Sequence, residues 1–294
     1  MNYFNNFQKA IDLKEIGSND ENVSVFELMP DENYFVGRTP HGGYLMAVMQ
    51  KALLSVLPHE HAINLNTHYL DRTDPVKVKI SVETLRISKG SSVGQVKLIQ
   101  DGKITCAMTG LCSDFNYMKG VDDIATQPPN IFNFDRDDFV DFNYDLKGLG
   151  YTPNFVKQVD CCIYKKHAWW LKENADQNEV ARCSGFVEMS GGKPNQFVLA
   201  FYSDFFPPVV MNKYGALGWV PTLSLTTNIR QIPTTEKLFM DVQAKDLKKG
   251  FFEQDCIIWD LNENLVATSR QLTRILKSED KLPHLLKSRK YYEI

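Results

Sequence analysis

NTHYLDRTDPVKVKISVETLRISKGSSVGQVKLIQDGKITCAMTG, residues 66–110, alternates apolar and polar positions through runs separated by short turns. A later stretch, TTNIRQIPTTEKLFMDVQAKDLKKGFFEQDCIIWDLNENLVATSRQ (226–271), alternates in the same way. Period-two alternation is the mark of half-buried strands, because successive side chains leave opposite faces. Gly90 and Gly250 each follow a lysine, and 250 − 90 = 160. At that offset Val78, Ile80, Val82 and Ile87 fall on Leu238, Met240, Val242 and Leu247. In both copies the alternation changes phase ahead of 87 and 247, as an inserted β-bulge residue makes a strand do. One extra residue in the later turn raises the offset to 161 and pairs Ile104 with Leu265. Agreement of phase, bulge and turn identifies a duplicated domain.

Each copy has a candidate helix ahead of its strands. GGYLMAVMQKALLSVL (42–57) places Leu45, Val48, Met49, Ala52 and Val56 on one face, and Pro58 stops it. VLAFYSDFF (198–206) takes the corresponding place in the second copy and is stopped by Pro207 and Pro208. Between the copies, QPPNIFNFDRDDFVDFNYDLKGLGYTP (127–153) is rich in Asp, Asn, Pro and Gly and reads as linker. The predicted class is α+β: two hotdog halves, each a helix wrapped by antiparallel strands, joined into one continuous sheet around two central helices. Residues 1–118 form the first half, 119–157 the linker, 158–276 the second half and 277–294 a tail.

Composition bounds the function. The chain has 294 residues, 43% of them hydrophobic and 23% charged, as a folded globular protein has. A formal net charge of −3 gives no basic footprint for nucleic acid. The longest apolar runs, Tyr44–Met49 and Phe197–Tyr202, fall far short of a membrane span. The N-terminal segment lacks a signal peptide's apolar core, the final Tyr-Glu-Ile is not the common peroxisomal tripeptide, and a cytoplasmic location is expected. Six cysteines without a C-x-x-C pair or zinc spacing read as reduced, mostly buried thiols, and neither metal nor cofactor is expected.

FVLAFYSDFFPPVV (197–210) carries a single charge, Asp204. A carboxylate taken out of water is costly unless it is partnered. Two later positions could supply donors. Thr222 lies on PTLSLTTNI, where strict alternation puts Thr222, Ser224 and Thr226 on one face and Leu223 and Leu225 on the other. Gln271 lies on VATSRQLTRIL. A hydroxyl and an amide can each donate to a carboxylate or to a water it holds, although most threonines and glutamines on strands are ordinary surface residues.

Other motifs compete. Gly90-Ser91-Ser92-Val93-Gly94 matches G-x-S-x-G, but a nucleophile elbow needs a strand-to-helix turn and this one joins two strands. Gly191-Gly192-Lys193 lacks the first glycine of a phosphate loop and reads as a turn. Cys183 or Cys161 with His167 is a thiol–imidazole alternative, and His41 is a rival base. Gly42 and Gly43 either allow close helix packing or present helix-start amides to an anion.

PHGGYLMAVMQKAL, SDFFPPVV, PTLSLTTNIRQIP and NLVATSRQL, in that order, resemble the double-hotdog acyl-CoA thioesterase II family over about residues 25 to 276. The resemblance implies hydrolysis of an acyl-CoA substrate by a water held by Asp204, Thr222 and Gln271, each carried over from its motif. It also implies an oxyanion donor at the helix start, at Gly43, and an acyl channel lined in part by Leu45, Phe205 and Phe206. A homo-oligomer of such units is a further implication. Lys89, Lys248 and Lys249 are generic candidates for the coenzyme's phosphates. This sequence departs from some members in reading SLTTNIRQ after Thr222, without an Asp-His, and in having histidine at 41. A hydratase on the same fold would need histidine five residues after Asp204, where Val209 stands. A non-catalytic acyl-CoA-binding protein is the competing class.

Overall fold

The alternating runs become strands of one sheet, and the duplication becomes a near-symmetric junction at its centre. A computed structural model describes residues 2–20, 22–142, 152–171, 181–215 and 217–276; the expected tail lies outside them. In the first half the strands are β1 (Lys14–Asp20), β2 (Val23–Leu28), β5 (His61–Tyr69), β6 (Val78–Ile87), β7 (Ser92–Gln100) and β8 (Lys103–Ser113). A separate two-residue hairpin, β3 (Phe35–Val36) with β4 (Thr39–Pro40), precedes the first central helix. The later strands are β9 (Phe139–Asp141), β10 (Asp160–Tyr164), β11 (Arg182–Glu188), β12 (Thr222–Ile229), β13 (Lys237–Lys248), β14 (Phe251–Asp260) and β15 (Leu265–Arg274). The thirteen sheet strands run β1-β2-β6-β7-β8-β5-β12-β15-β14-β13-β11-β10-β9, with every neighbouring pair antiparallel.

β5 and β12 join the halves, and Asn66 pairs directly with Thr226, its own counterpart at the offset of 160. A two-fold relation between the halves therefore passes through the junction. Bulges begin at positions related by the same offset: Ala62/Asn64 answers Thr222/Ser224, and Thr84/Arg86 answers Ala244/Leu247, which is one residue longer. The second pair accounts for the anticipated phase changes, and the first pair was not anticipated.

The central helices are α2 (Gly42–Val56) and α3 (Gln196–Tyr202). The sequence placed one face of α2 in the core. The structure buries the run from Gly43 to Gln50 all round, because α3 and the N-terminal helix α1 (Tyr3–Ala10) cover the side away from the sheet. Phe7 of α1 packs edge-on against Tyr34, Tyr34 stacks on Tyr44, and Phe7 also reaches Phe201. The second helix is shorter than expected. It ends at Tyr202, and a fourth helix, α4 (Met211–Tyr214), follows the prolines. The offset of 160 thus holds for the strands but not for the helices, since α2 begins where α3 has ended.

The stretch read as linker is partly structural. β9 extends the sheet beside β10, and Phe139 joins Tyr164, Phe239 and Trp259 in a cluster that also holds Ile131 and Phe132. No helix among the described residues is long and apolar enough to cross a membrane.

Candidate active site

The site forms where the first turn of α2 meets the loop that leaves α3. Gly42 and Gly43 make that approach possible. A Cβ on Gly43 would lie 2.4 Å from the Phe201 carbonyl oxygen, and one on Gly42 would lie 2.6 Å from Asp204 Oδ2. Both glycines are therefore packing residues, and the approach brings an α2 amide to a side chain: Gly43 N donates to Asp204 Oδ2 at 3.0 Å. A helix N-terminus is a favourable place for a carboxylate, because its unpaired amides and aligned dipoles carry partial positive charge.

Asp204 lies just beyond the end of α3, with its side chain 11% exposed. Its other oxygen, Oδ1, accepts from Gln271 Nε2 at 2.6 Å and from Thr222 Oγ1 at 3.4 Å. Gln271 Nε2 also contacts Thr222 Oγ1 directly. The three polar residues singled out in the sequence are thus brought together, from α3's exit loop, β12 and β15.

One placement differs from expectation. Strict alternation puts Thr222 with Ser224 and Thr226, whereas the bulge at Leu223 shifts the phase, so Thr222 pairs with Thr273 and Leu225 with Gln271. Thr222 therefore shares the inward face with Leu225, Thr227, Gln271 and Thr273. Without that bulge its hydroxyl would face away from Asp204.

His41 is no ordinary turn residue. Its ring is buried, stacks against Phe155 at 4.1 Å, and its Nε2 lies 2.8 Å from the Asp204 carbonyl oxygen and 3.3 Å from Oδ2. Burial pushes its pKa down, with the Asp204 charge opposing more weakly, so the imidazole is neutral and Nε2–H is the donor. A nitrogen that donates to Asp204 cannot also take a proton there, which removes His41 as the base on that side. Tyr69 completes the corner, its hydroxyl donating to the Gly42 carbonyl at 2.8 Å.

Sequence reading missed Gln254. On β14, Phe252, Gln254, Cys256 and Ile258 face inward, so a buried amide interrupts an apolar face; that interruption was the available signal. Gln254 Nε2 donates to Gln271 Oε1, and Gln254 Oε1 accepts from Val209 N at 3.3 Å.

This polar corner lines a cavity of about 1060 Å³. Leu45, Phe205 and Phe206 line it, together with Phe142, Phe155, Trp169 and Trp170, and Gly42 borders it. Gly43 is not on the wall, and its amide faces the carboxylate instead of the cavity, so the helix-start donor expected for an oxyanion is already engaged. Among the described residues, Arg38 and Arg72 are the cations on the wall, and Lys89, Lys248 and Lys249 are elsewhere.

The rival nucleophiles fail on environment. Ser92 is fully buried at the start of β7, follows a strand-to-strand turn and is bonded to His59 Nδ1 at 2.9 Å. Burial pushes the Cys161 and Cys183 thiols well above their ordinary range, so neither is a thiolate at neutral pH. Gly191 and Gly192 pass tightly under Asn2 and Phe4, as a packed turn does.

Comparison with known proteins agrees with this architecture. Residues 30–113 match the sequence model of the acyl-CoA thioesterase N-terminal domain, and residues 131–275 match that of the acyl-CoA thioesterase C-terminal domain. An uncharacterized protein of Mycobacterium tuberculosis is 21% identical over 286 residues, 92% of this chain and 98% of that protein. A proposed thioesterase II of Thermobifida fusca superposes with a TM-score of 0.79 at 22% identity, covering 92% of this chain and 97% of that one. An acyl-CoA thioesterase II of Mycobacterium marinum gives 0.66 at 13% identity, covering 93% and 98%. With a hot dog fold protein of Alicyclobacillus acidocaldarius also superposing at 0.78 and 18% identity over 93% and 98%, the fold is the double hotdog. Since the two domain models together span most of the chain, this protein belongs to the acyl-CoA thioesterase family, whose members hydrolyse acyl thioesters.

Proposed function

We propose that this protein hydrolyses fatty acyl-CoA thioesters by direct attack of a water held by Asp204, Thr222 and Gln271. The observation that supports it is the convergence of Gln271 Nε2 and Thr222 Oγ1 on Asp204 Oδ1 in the wall of a largely apolar cavity. A water at that point donates one proton to Oδ1 and turns a lone pair toward the thioester carbon, while Thr222 and Gln271 fix its orientation.

The steps balance without a cofactor. The water oxygen bonds to the carbonyl carbon as its proton passes to Asp204. The tetrahedral intermediate then expels the thiolate, which recovers that proton as the C–S bond breaks. A thioester is electrophilic enough for an oriented water and a carboxylate base to suffice. No residue of the chain is acylated. The acyl chain lies among Leu45, Phe205 and Phe206, where apolar burial favours it.

The deciding experiment is steady-state hydrolysis of a series of acyl-CoA thioesters by the purified protein. Turnover that produces free acid and thiol, with no acyl adduct on the chain by mass spectrometry, is expected. Tight acyl-CoA binding without turnover would replace this reading with a non-catalytic binding protein. A trapped acyl-enzyme would overturn the direct attack of water.

A further inference from the structure

The amide of Gln271 can face Asp204 with either end. With Nε2 forward it donates to the carboxylate and the water; with Oε1 forward it sets a carbonyl against a carboxylate. Nothing in β15 itself chooses between these. The carboxylate favours Nε2 forward, and a second determinant lies one strand away.

Val209 N is a backbone donor and can only donate, so the Gln254 atom 3.3 Å from it must be the acceptor Oε1. That leaves Gln254 Nε2 toward Gln271, where it meets Oε1. Gln271 Nε2 is thereby left for Asp204 Oδ1, at 2.6 Å. The polarity of this three-link chain is fixed at one end by a peptide amide and at the other by a carboxylate. It also closes on itself, since Val209 and Asp204 lie on the same loop after α3. Gln254 and Gln271 are cross-strand neighbours, both buried. The corresponding pair of the first half is Gly94 and Gly110, which carries no amide.

We propose that Gln254 is a positioning residue for hydrolysis, holding the Gln271 amide with its N–H groups toward Asp204 and the attacking water. This rests on the hydrolytic reading above, and the test separates the two.

Gln254→Glu is the decisive variant. When ionised, the introduced carboxylate still accepts from Val209 N but can only accept from Gln271, so it turns that amide over. When protonated, the same group donates as the glutamine does. The expected result at pH 8 is a kcat at least about tenfold lower with KM changed less than about twofold, as for lost orientation with binding intact. The ratio of variant to wild-type kcat should rise as the pH is lowered and the introduced carboxylate protonates. Asp204 and His41 are the titratable groups across Gln271 and are present in both enzymes, so the wild-type pH profile is measured in parallel.

Gln254→Leu, alone and combined with Gln271→Ala, guards against a misfolded Gln254→Glu variant. It should lower kcat severalfold alone and cause no further loss once Gln271 is replaced by alanine, the non-additivity of residues acting as one unit. A Gln254→Glu variant with wild-type kcat at every pH, or a Gln254→Leu loss that multiplies in full onto Gln271→Ala, overturns the positioning role alone. A wild-type protein that fails to turn over overturns the hydrolytic reading, and this role with it.

Discussion

The two halves share a frame and differ in what they put inside it. Both carry bulges at matching positions, and both use a buried polar side chain to clamp the loop entering their long hairpin. Gln100 holds the backbone of Asp74 in the first half, and Asp260 holds the backbone of Thr234 in the second, each pair shifted by 160. At the inner face they part. Where the second half has Thr222, Gln254 and Gln271, the first has Ala62, Gly94 and Gly110. Leu53 of α2 occupies the space those glycines leave, so that a Cβ on Gly110 would lie 2.2 Å from its Cδ2 and one on Gly94 2.7 Å from its Cδ1. In the second half the central helix stops at Tyr202, and polar side chains stand at the matching strand positions. At these strand positions the first copy is devoted to packing and the second supplies the polar side chains. The same strand positions therefore predict opposite phenotypes.

The largest effect is expected at Asp204. Asp204→Asn should retain the fold and lower kcat by at least about a hundredfold, the range of a lost general base. Near wild-type turnover would break the comparison at its functional end. Parallel circular dichroism separates chemistry from folding.

Next comes the matched pair Gly110 and Gln271. Gly110→Ala should cost about 1–3 kcal/mol of stability by overpacking against Leu53, with activity per folded molecule unchanged. Gln271→Ala should do the reverse, lowering turnover with little change in the unfolding midpoint. Denaturant titration and initial rates on both variants read this out, and a loss of activity in Gly110→Ala would merge the two roles.

A smaller change is expected at Ser92, whose counterpart is Phe252. Removing the buried hydroxyl leaves His59 Nδ1 without its partner and should lower stability by about 1 kcal/mol. Activity should persist, and its disappearance in Ser92→Ala would revive the hydrolase elbow.

The last is a pH effect, to which His167 of the second half and the buried His41 of the first contribute with the same sign. Burial, then Arg182, holds the His167 pKa down to about 4. The unfolded chain takes up that proton near pH 6.5, before the folded one does, so stability present above pH 6.5 is lost as the pH falls toward 4. The unfolding midpoint should drop over that window, and His167→Gln should flatten the drop. An unchanged slope would show that the ring titrates freely.

The long strands of residues 66–110 and 226–271, their repetition, the bulges ahead of 87 and 247 and the turn were legible in the chain before folding. Each of these is a periodicity or a break in periodicity, set by the alternation of side chains on a pleated strand. The same reading marked Asp204 as a charge needing partners and offered Thr222 and Gln271 as donors, and the family resemblance gave the three their role. Which way those residues face, and what they meet, emerges only from packing. The Leu223 bulge turns Thr222 inward, the Gly43 amide is bound to the carboxylate, His41 lies 163 residues from its acceptor in Asp204, and Gln254 aims Gln271. The length of α3, the Leu53 plug and β9's place at the sheet edge belong to the same group. Such contacts join positions far apart in the chain, and they follow from how closely two helices and a twisted sheet can pack. No local pattern encodes that distance.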